Sequence, residues 1–83
     1  MKHARKDYNR IQDPLGLIPE DEPVFLLRGQ DVLAPELLRQ WSIKLLLKGG
    51  SGIMAEMVMN HAKEMENWQK KYKQKLPDLP FNE

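Results

Sequence analysis

Leu37-Leu38-Arg39-Gln40-Trp41-Ser42-Ile43-Lys44-Leu45-Leu46-Leu47, running into Lys48-Gly49-Gly50-Ser51-Gly52, decides the fold. The first eleven of these residues carry seven large apolar side chains. On a helix they spread over more than one face, wider than the single stripe of an ordinary surface helix. Pro35 suits the first turn of such a helix, and Glu36 complements the positive end of its dipole. The helix is expected from Pro35 to about Lys48, where Gly49-Gly50 stops it behind a terminal lysine. Ser51 then reads as the N-cap of a second helix, from about Gly52 to Lys73. Its apolar row is Met54, Met57, Val58, Met65, Trp68 and Tyr72, with His61 among them, at the three-four spacing of an amphipathic helix. Residues 49 to 52 are a short helix-helix turn, so the two helices are expected to fold back as an antiparallel hairpin.

Upstream, Tyr8-Asn9-Arg10-Ile11-Gln12-Asp13 alternates as a short strand does, and Asp13-Pro14 ends it with a turn signal. A loop follows to Pro23, with the acidic cluster Glu20-Asp21-Glu22 in it. Pro23-Val24-Phe25-Leu26-Leu27-Arg28-Gly29-Gln30 is the strongest strand candidate: β-branched and aromatic at its start, with Pro only at its first position. Paired, the two make an antiparallel β-hairpin, which is marginal alone and must pack on the helices. Downstream, Leu76-Pro77-Asp78-Leu79-Pro80-Phe81 is non-helical through its prolines. The expectation is therefore an α+β fold: a flexible basic tail at 1–7, then one small domain at 8–83, a short antiparallel β-hairpin packed on a two-helix hairpin.

Composition limits what such a domain does. Thirteen Lys and Arg against twelve Asp and Glu leave a net charge of only +1, which argues against gripping nucleic acid by its phosphates. The 41% apolar and 30% charged fractions fit a folded chain rather than a disordered one. Cysteine is absent, which removes disulfides, thiol catalysis and Cys-based zinc sites. No apolar run reaches the length of about 18 residues that spans a bilayer, and the basic N-terminus lacks a signal peptide's apolar stretch. A cytosolic, non-membrane protein is expected. The apolar excess of 37–47 is more than a two-layer fold of this size covers, so a homodimer or higher homo-oligomer is expected. The alternative is that the terminal segments fold back over the excess.

Chemistry-bearing patterns are few. His3 and His61 are the only histidines, and His61 with Glu64 lacks the further ligands a metal needs. No P-loop, nucleophile elbow or dinucleotide fingerprint occurs. Neither catalysis, a metal nor a cofactor is expected. The unusual feature is Arg28-Gly29-Gln30-Asp31, where an apolar strand switches to donors and acceptors around a glycine. Arg10-Ile11-Gln12-Asp13 repeats its Arg-x-Gln-Asp order. Arginine, glutamine and aspartate suit phosphates, base edges and ribose hydroxyls. Arg28, Gln30 and Asp31 are therefore candidate ligand contacts, assisted by Arg10 and Gln12, with Trp41 or Lys44 lining the pocket. The competing reading is that Arg10, Arg28 and Asp31 form structural ion pairs. Trp41 and Trp68 offer stacking faces or core packing, and Lys70 to Lys75 is a basic run at a helix end.

The stretch from Arg10-Ile11-Gln12-Asp13-Pro14 through Ile18-Pro19-Glu20-Asp21-Glu22-Pro23-Val24-Phe25-Leu26-Leu27-Arg28-Gly29-Gln30-Asp31, with Ala34-Pro35 after it, resembles a family of small phage and prophage proteins. The resemblance continues through Trp41 and His61-Ala62 into Lys75-Leu76-Pro77-Asp78 and covers most of the chain. It implies a protein at work in the cytoplasm of a bacterial host. Small phage proteins of this size include sponges that hold bacterial immune nucleotides, such as cyclic dinucleotides or ADP-ribose derivatives. By that analogy the expected function is non-enzymatic sequestration of a nucleotide-derived immune signal. The alternative is a protein-interaction module that inhibits or adapts a host or phage protein through Leu45–Leu47 or the Met-rich face of the second helix. A transcriptional regulator fits least, because Met54, Glu56 and Met57 stand where a recognition helix wants polar and basic groups.

Overall fold

The computed structural model describes residues 1–8 and 13–79. Its elements are β1 (Lys2–His3), a 3₁₀ turn (Lys6–Tyr8), β2 (Pro23–Val24), α1 (Ala34–Leu47) and α2 (Gly52–Lys71). They belong to two compact units, one of Arg28–Pro77 and one of Met1–Leu27 with the chain from Asp78 onward.

The helical unit follows the local chemistry. Pro35 sits in the first turn of α1, and Ser51 caps α2 by accepting the Met54 N–H at 3.1 Å. Between them Gly49 turns left-handed at φ +80°, which only glycine adopts without strain. Gly50 then donates its N–H to the Leu45 carbonyl at 2.8 Å and Gly49 to that of Leu46 at 3.0 Å, satisfying the last carbonyls of α1.

The seam between the antiparallel helices is built of small residues. Ala34, Pro35 and Ser42 are buried on α1, with Leu38 and Leu45 half-buried. On α2, Ala55, Ala62 and Met65 are buried, with Val58 and Gln69 half-buried. Positions 35, 38, 42, 45 and 55, 58, 62, 65, 69 both step by three and four, so each set forms one row facing the other. The Ser42 hydroxyl, fully buried, donates back to the Leu38 carbonyl at 2.9 Å and so brings no unsatisfied group into the seam. This corrects the expected core of α2. Of its large apolar row only Met65 is buried, and Met54, Met57, Trp68 and Tyr72 are exposed. Alanine lets two backbones approach closely, and the bulky residues are thereby turned off the seam.

The N-terminal unit overturns the expected antiparallel β-hairpin. Lys2 and His3 pair in parallel with Pro23 and Val24, and this two-residue ladder is the whole of the sheet among the described residues. The segment 1–7, expected as a tail, thus supplies β1. Tyr8 ends a 3₁₀ turn rather than starting a strand; Asn9, Arg10, Ile11 and Gln12 lie outside the described residues. The reason is local closure of the loop. Asp13 accepts the Gly16 N–H on its carbonyl at 3.0 Å and the Ile18 N–H on its carboxylate at 2.6 Å. Glu22 donates to the Pro19 carbonyl at 3.2 Å, the Met1 ammonium donates to the same carbonyl, and Lys2 donates to the Glu22 carbonyl at 2.8 Å. Lys2 and His3 therefore pair with the start of the expected second strand, and do so in parallel. Arg5 binds the Asp7 carboxylate at 2.6 and 3.0 Å, donates to the Asp78 carbonyl at 2.8 Å, and lies 4.5 Å over the Tyr8 ring. Among the described residues no helix is long and apolar enough to cross a membrane.

A seam of small residues has no room for larger ones. Ala62→Leu is expected to lower stability by about 1–3 kcal/mol in urea unfolding, through overpacking. Met54→Leu, off the seam, is expected to leave the midpoint almost unchanged.

Candidate functional site

The loop Arg28-Gly29-Gln30-Asp31 closes the open end of the helical hairpin. All four of its carbonyls accept hydrogen bonds. Asp31 donates its N–H to the Arg28 carbonyl at 3.0 Å, the Gln30 carbonyl accepts from Lys75 at 2.9 Å, and Val32 donates to the Lys75 carbonyl at 3.1 Å. From α2, the Gln69 side-chain amide donates to the carbonyls of Gly29 at 2.9 Å and Asp31 at 2.8 Å. Asp31 is only 9% exposed, and its carboxylate accepts the Leu33 N–H at 2.8 Å while its carbonyl accepts that of Ala34 at 3.0 Å. No side chain caps α1 at Leu33, so Asp31 organises the entry to the helix from two residues upstream.

The sequence-derived candidates therefore separate. Arg28 is exposed and Gln30 half-buried at this loop. Trp41 and Lys44 are both exposed on α1, and at about 1.5 Å of rise per residue Lys44 lies roughly 15 Å from the helix start. Arg28 and Asp31 stand at the open end of the hairpin and Lys44 near its turn, so one chain does not gather them around a common small molecule. Arg10 and Gln12 lie outside the described residues.

The geometry instead joins the Met-rich face of α2, one of the two surfaces expected for an interaction module, to residues of α1. Leu37, Trp41, Met54, Met57, His61 and Trp68 each immediately precede a seam residue. At about 100° per residue, a residue preceding the seam lies on the same side of the hairpin in either of two antiparallel helices. They form one face, extended by Tyr72, whose ring centroid is 5.0 Å from that of Trp68. Trp41 is 44% exposed, Trp68 39% and Met57 65%. His61 lies among them with its Nδ1 3.2 Å from the Glu64 carboxylate.

The opposite side is of different character. Arg39, Glu56, Lys63, Glu66 and Lys70 each follow a seam residue, although Ile43, Leu46 and Met59 also lie there. Arg39 crosses the seam to Glu66 with both guanidinium arms, one at 3.1 Å. This hydrogen-bonded guanidinium holds the Glu66 carboxyl below its ordinary value of 4.5, with Lys70 and Lys63 adding to the effect. Beside it an open depression of about 400 Å³ is lined by Glu66, Gln69, Lys70, Lys73 and Gln74.

In the N-terminal unit, a second open depression of about 480 Å³ is lined by Lys2, His3, Ala4, Pro23, Val24 and Phe25. Both ring nitrogens of His3 are buried there without a partner among the described residues. Among those residues no three His, Asp or Glu side chains come together as a metal would require. The signal for the Trp and Met face was present in the sequence as the Ala55, Ala62 and Ser42 positions, which mark the true seam one residue beyond each large side chain.

Loss of the Asp31 carboxylate leaves the Leu33 N–H unsatisfied, so Asp31→Ala is expected to cost about 1–2 kcal/mol in urea unfolding. Arg28→Ala should leave the midpoint within about 0.5 kcal/mol of wild type. Because the Glu66 carboxyl is depressed in the folded state, its contribution is present above 4.5 and lost as pH falls through the folded value. Thermal unfolding from pH 6 down to about pH 3 should show a shallower decline for Glu66→Gln than for wild type. Comparison with known protein families, with curated proteins and with solved structures finds no match to this chain.

Proposed function

We propose that the chain is a non-enzymatic protein-interaction module that works by docking the Trp and Met face of its helical hairpin onto another polypeptide. The observation that carries this reading is the exposure of Trp41 and Trp68 on one face with Leu37, Met54 and Met57. Contiguous apolar surface of this size marks interaction sites on soluble proteins. Tryptophan supplies much of the binding energy at such sites, and methionine adapts its unbranched chain to a partner's contour. The resemblance to small phage and prophage proteins points to a host or phage polypeptide, or to the chain itself, as the partner.

Sequestration of a nucleotide-derived signal by Arg28, Gln30, Asp31, Trp41 and Lys44 has weaker support. It needs Asp31 to leave its hydrogen bond with Leu33 and needs groups from both ends of the hairpin to converge.

A photo-crosslinking side chain placed at Met57 tests the reading, with one at Lys63 on the opposite side as control. Irradiation in the host cell is expected to give polypeptide adducts from position 57 and not from 63. Absence of adducts from 57, or equal yields from both positions, would overturn it. Incubation with cyclic dinucleotides and ADP-ribose derivatives, then filtration, should leave the filtrate undepleted; depletion would restore the sequestration reading.

A further inference from the structure

We infer that the polypeptide covering this face is a second copy of the chain, so that two hairpins close into a two-fold, antiparallel four-helix bundle. The inference rests on reading the face as a docking surface, and adds the identity of the occupant.

The first support is what the hairpin leaves undone. Its buried apolar side chains are Ala34, Ala55, Ala62 and Met65, with Pro35 beside them. Alanine burial stabilises little, and a helical unit of this size gains too little apolar burial from such a seam. Leu38, Leu45 and Val58 add only half-buried surface to the seam, and the tryptophans with Met54 and Met57 stand outside it.

Area is the second support. Leu37, Trp41, Met54, Met57, Trp68 and Tyr72 are each between 39% and 65% exposed. An aromatic side chain offers about 150–250 Å² when fully covered, so the face presents roughly 600 Å² of apolar surface. A stable interface takes about 800 Å² from each partner, and the polar rim supplies the remainder.

The third support is the pattern of the rim. Lys44 and Lys48 continue the rows of Leu37 and Trp41 seven residues on, and Glu64 continues that of Met57. The border is thus cationic on α1 and of both signs on α2, where Lys71 follows Glu64 in the same row with its ammonium 5.4 Å from the Tyr72 ring centroid. A second copy turned over a two-fold axis offers both signs back, and every pair of neighbouring helices is then antiparallel, as in up-and-down bundles. A membrane surface would call for a rim of one sign, without Glu64.

Light scattering behind size-exclusion chromatography tests this on the full chain at micromolar concentration. Wild type is expected at twice the 9.7 kDa chain mass, with Lys63→Glu unchanged. Met57→Glu should run as a monomer, its dimer at least a hundredfold weaker, with helical circular dichroism retained because Met57 is not a seam residue. Should that variant unfold, dilution of wild type serves instead: tryptophan emission should shift to the red as the dimer dissociates. A dimer that neither Met57→Glu nor dilution perturbs at the tryptophans overturns the inference, as does a mass above the dimer. A wild-type monomer that binds an apolar dye, with Met57→Glu abolishing it, overturns the second copy but leaves the docking face standing. A monomer that binds no dye overturns both.

Discussion

The close approach of α1 and α2 through alanine and serine is the constraint on which the helical unit depends. Ala55 and Ala62 face Ser42 and its neighbours, and a short linker with glycine at 49, 50 and 52 returns the chain at once. Such a seam needs little side-chain ordering, since alanine has no rotamers to lose. It also buries little, so its favourable term is modest. The same geometry dictates where everything large must go. With Ala34, Ser42, Ala55 and Ala62 setting the approach of the inward rows, the tryptophans with Met54 and Met57 are displaced by about 100° to one side.

Polar chemistry at the open end is organised around that seam. Gln69 stands in the seam row of α2, so its amide reaches the loop backbone rather than solvent, where it holds the carbonyls of Gly29 and Asp31. Asp31 in turn fixes the entry to α1 through Leu33 and Ala34. Asp31, which looks like a ligand-binding group in a linear reading, is thereby engaged in joining the loop to the helix. Buried polar groups are found with partners, and here the partners are backbone groups of the unit itself.

What was legible in the sequence followed from local rules. Pro35, the glycines from 49 and Ser51 bound the helices correctly to within two residues, because capping and breaking depend only on near neighbours. Of the strands only the start of β2 at Pro23 and Val24 was legible, not its length or its parallel pairing. Val24 and Phe25 have strand propensity, but pairing is a long-range choice, and the self-closing loop from Asp13 to Glu22 with the chain start on its edge decided it. The seam was misread for a definite reason: weighting residues by hydrophobicity favours Met54, Met57 and Trp68, whereas helix-helix distance is set by the smallest residues between the axes. Asp31 was recognised as unusual. Its role was obscured because it acts two residues ahead of the cap position, through a turn that spacing alone does not reveal.

The hairpin has a tryptophan and methionine side one residue before the seam and a mixed side one residue after it, where Ile43, Leu46 and Met59 stand among the charges. On the later side Arg39 and Glu66 pair across the seam, with Lys70 one turn along α2 from Glu66, and all three remain compatible with water. On the earlier side Trp41, Met57 and Trp68 have no such means of accommodation. Scattered exposed apolar residues need no explanation, but here they are ordered by the same three-four step as the seam itself. Large apolar residues at that period on both helices are the pattern from which a second packing surface is proposed. On the proposed reading the helical hairpin is half of a packed object, and its complementary half is a second copy of the chain.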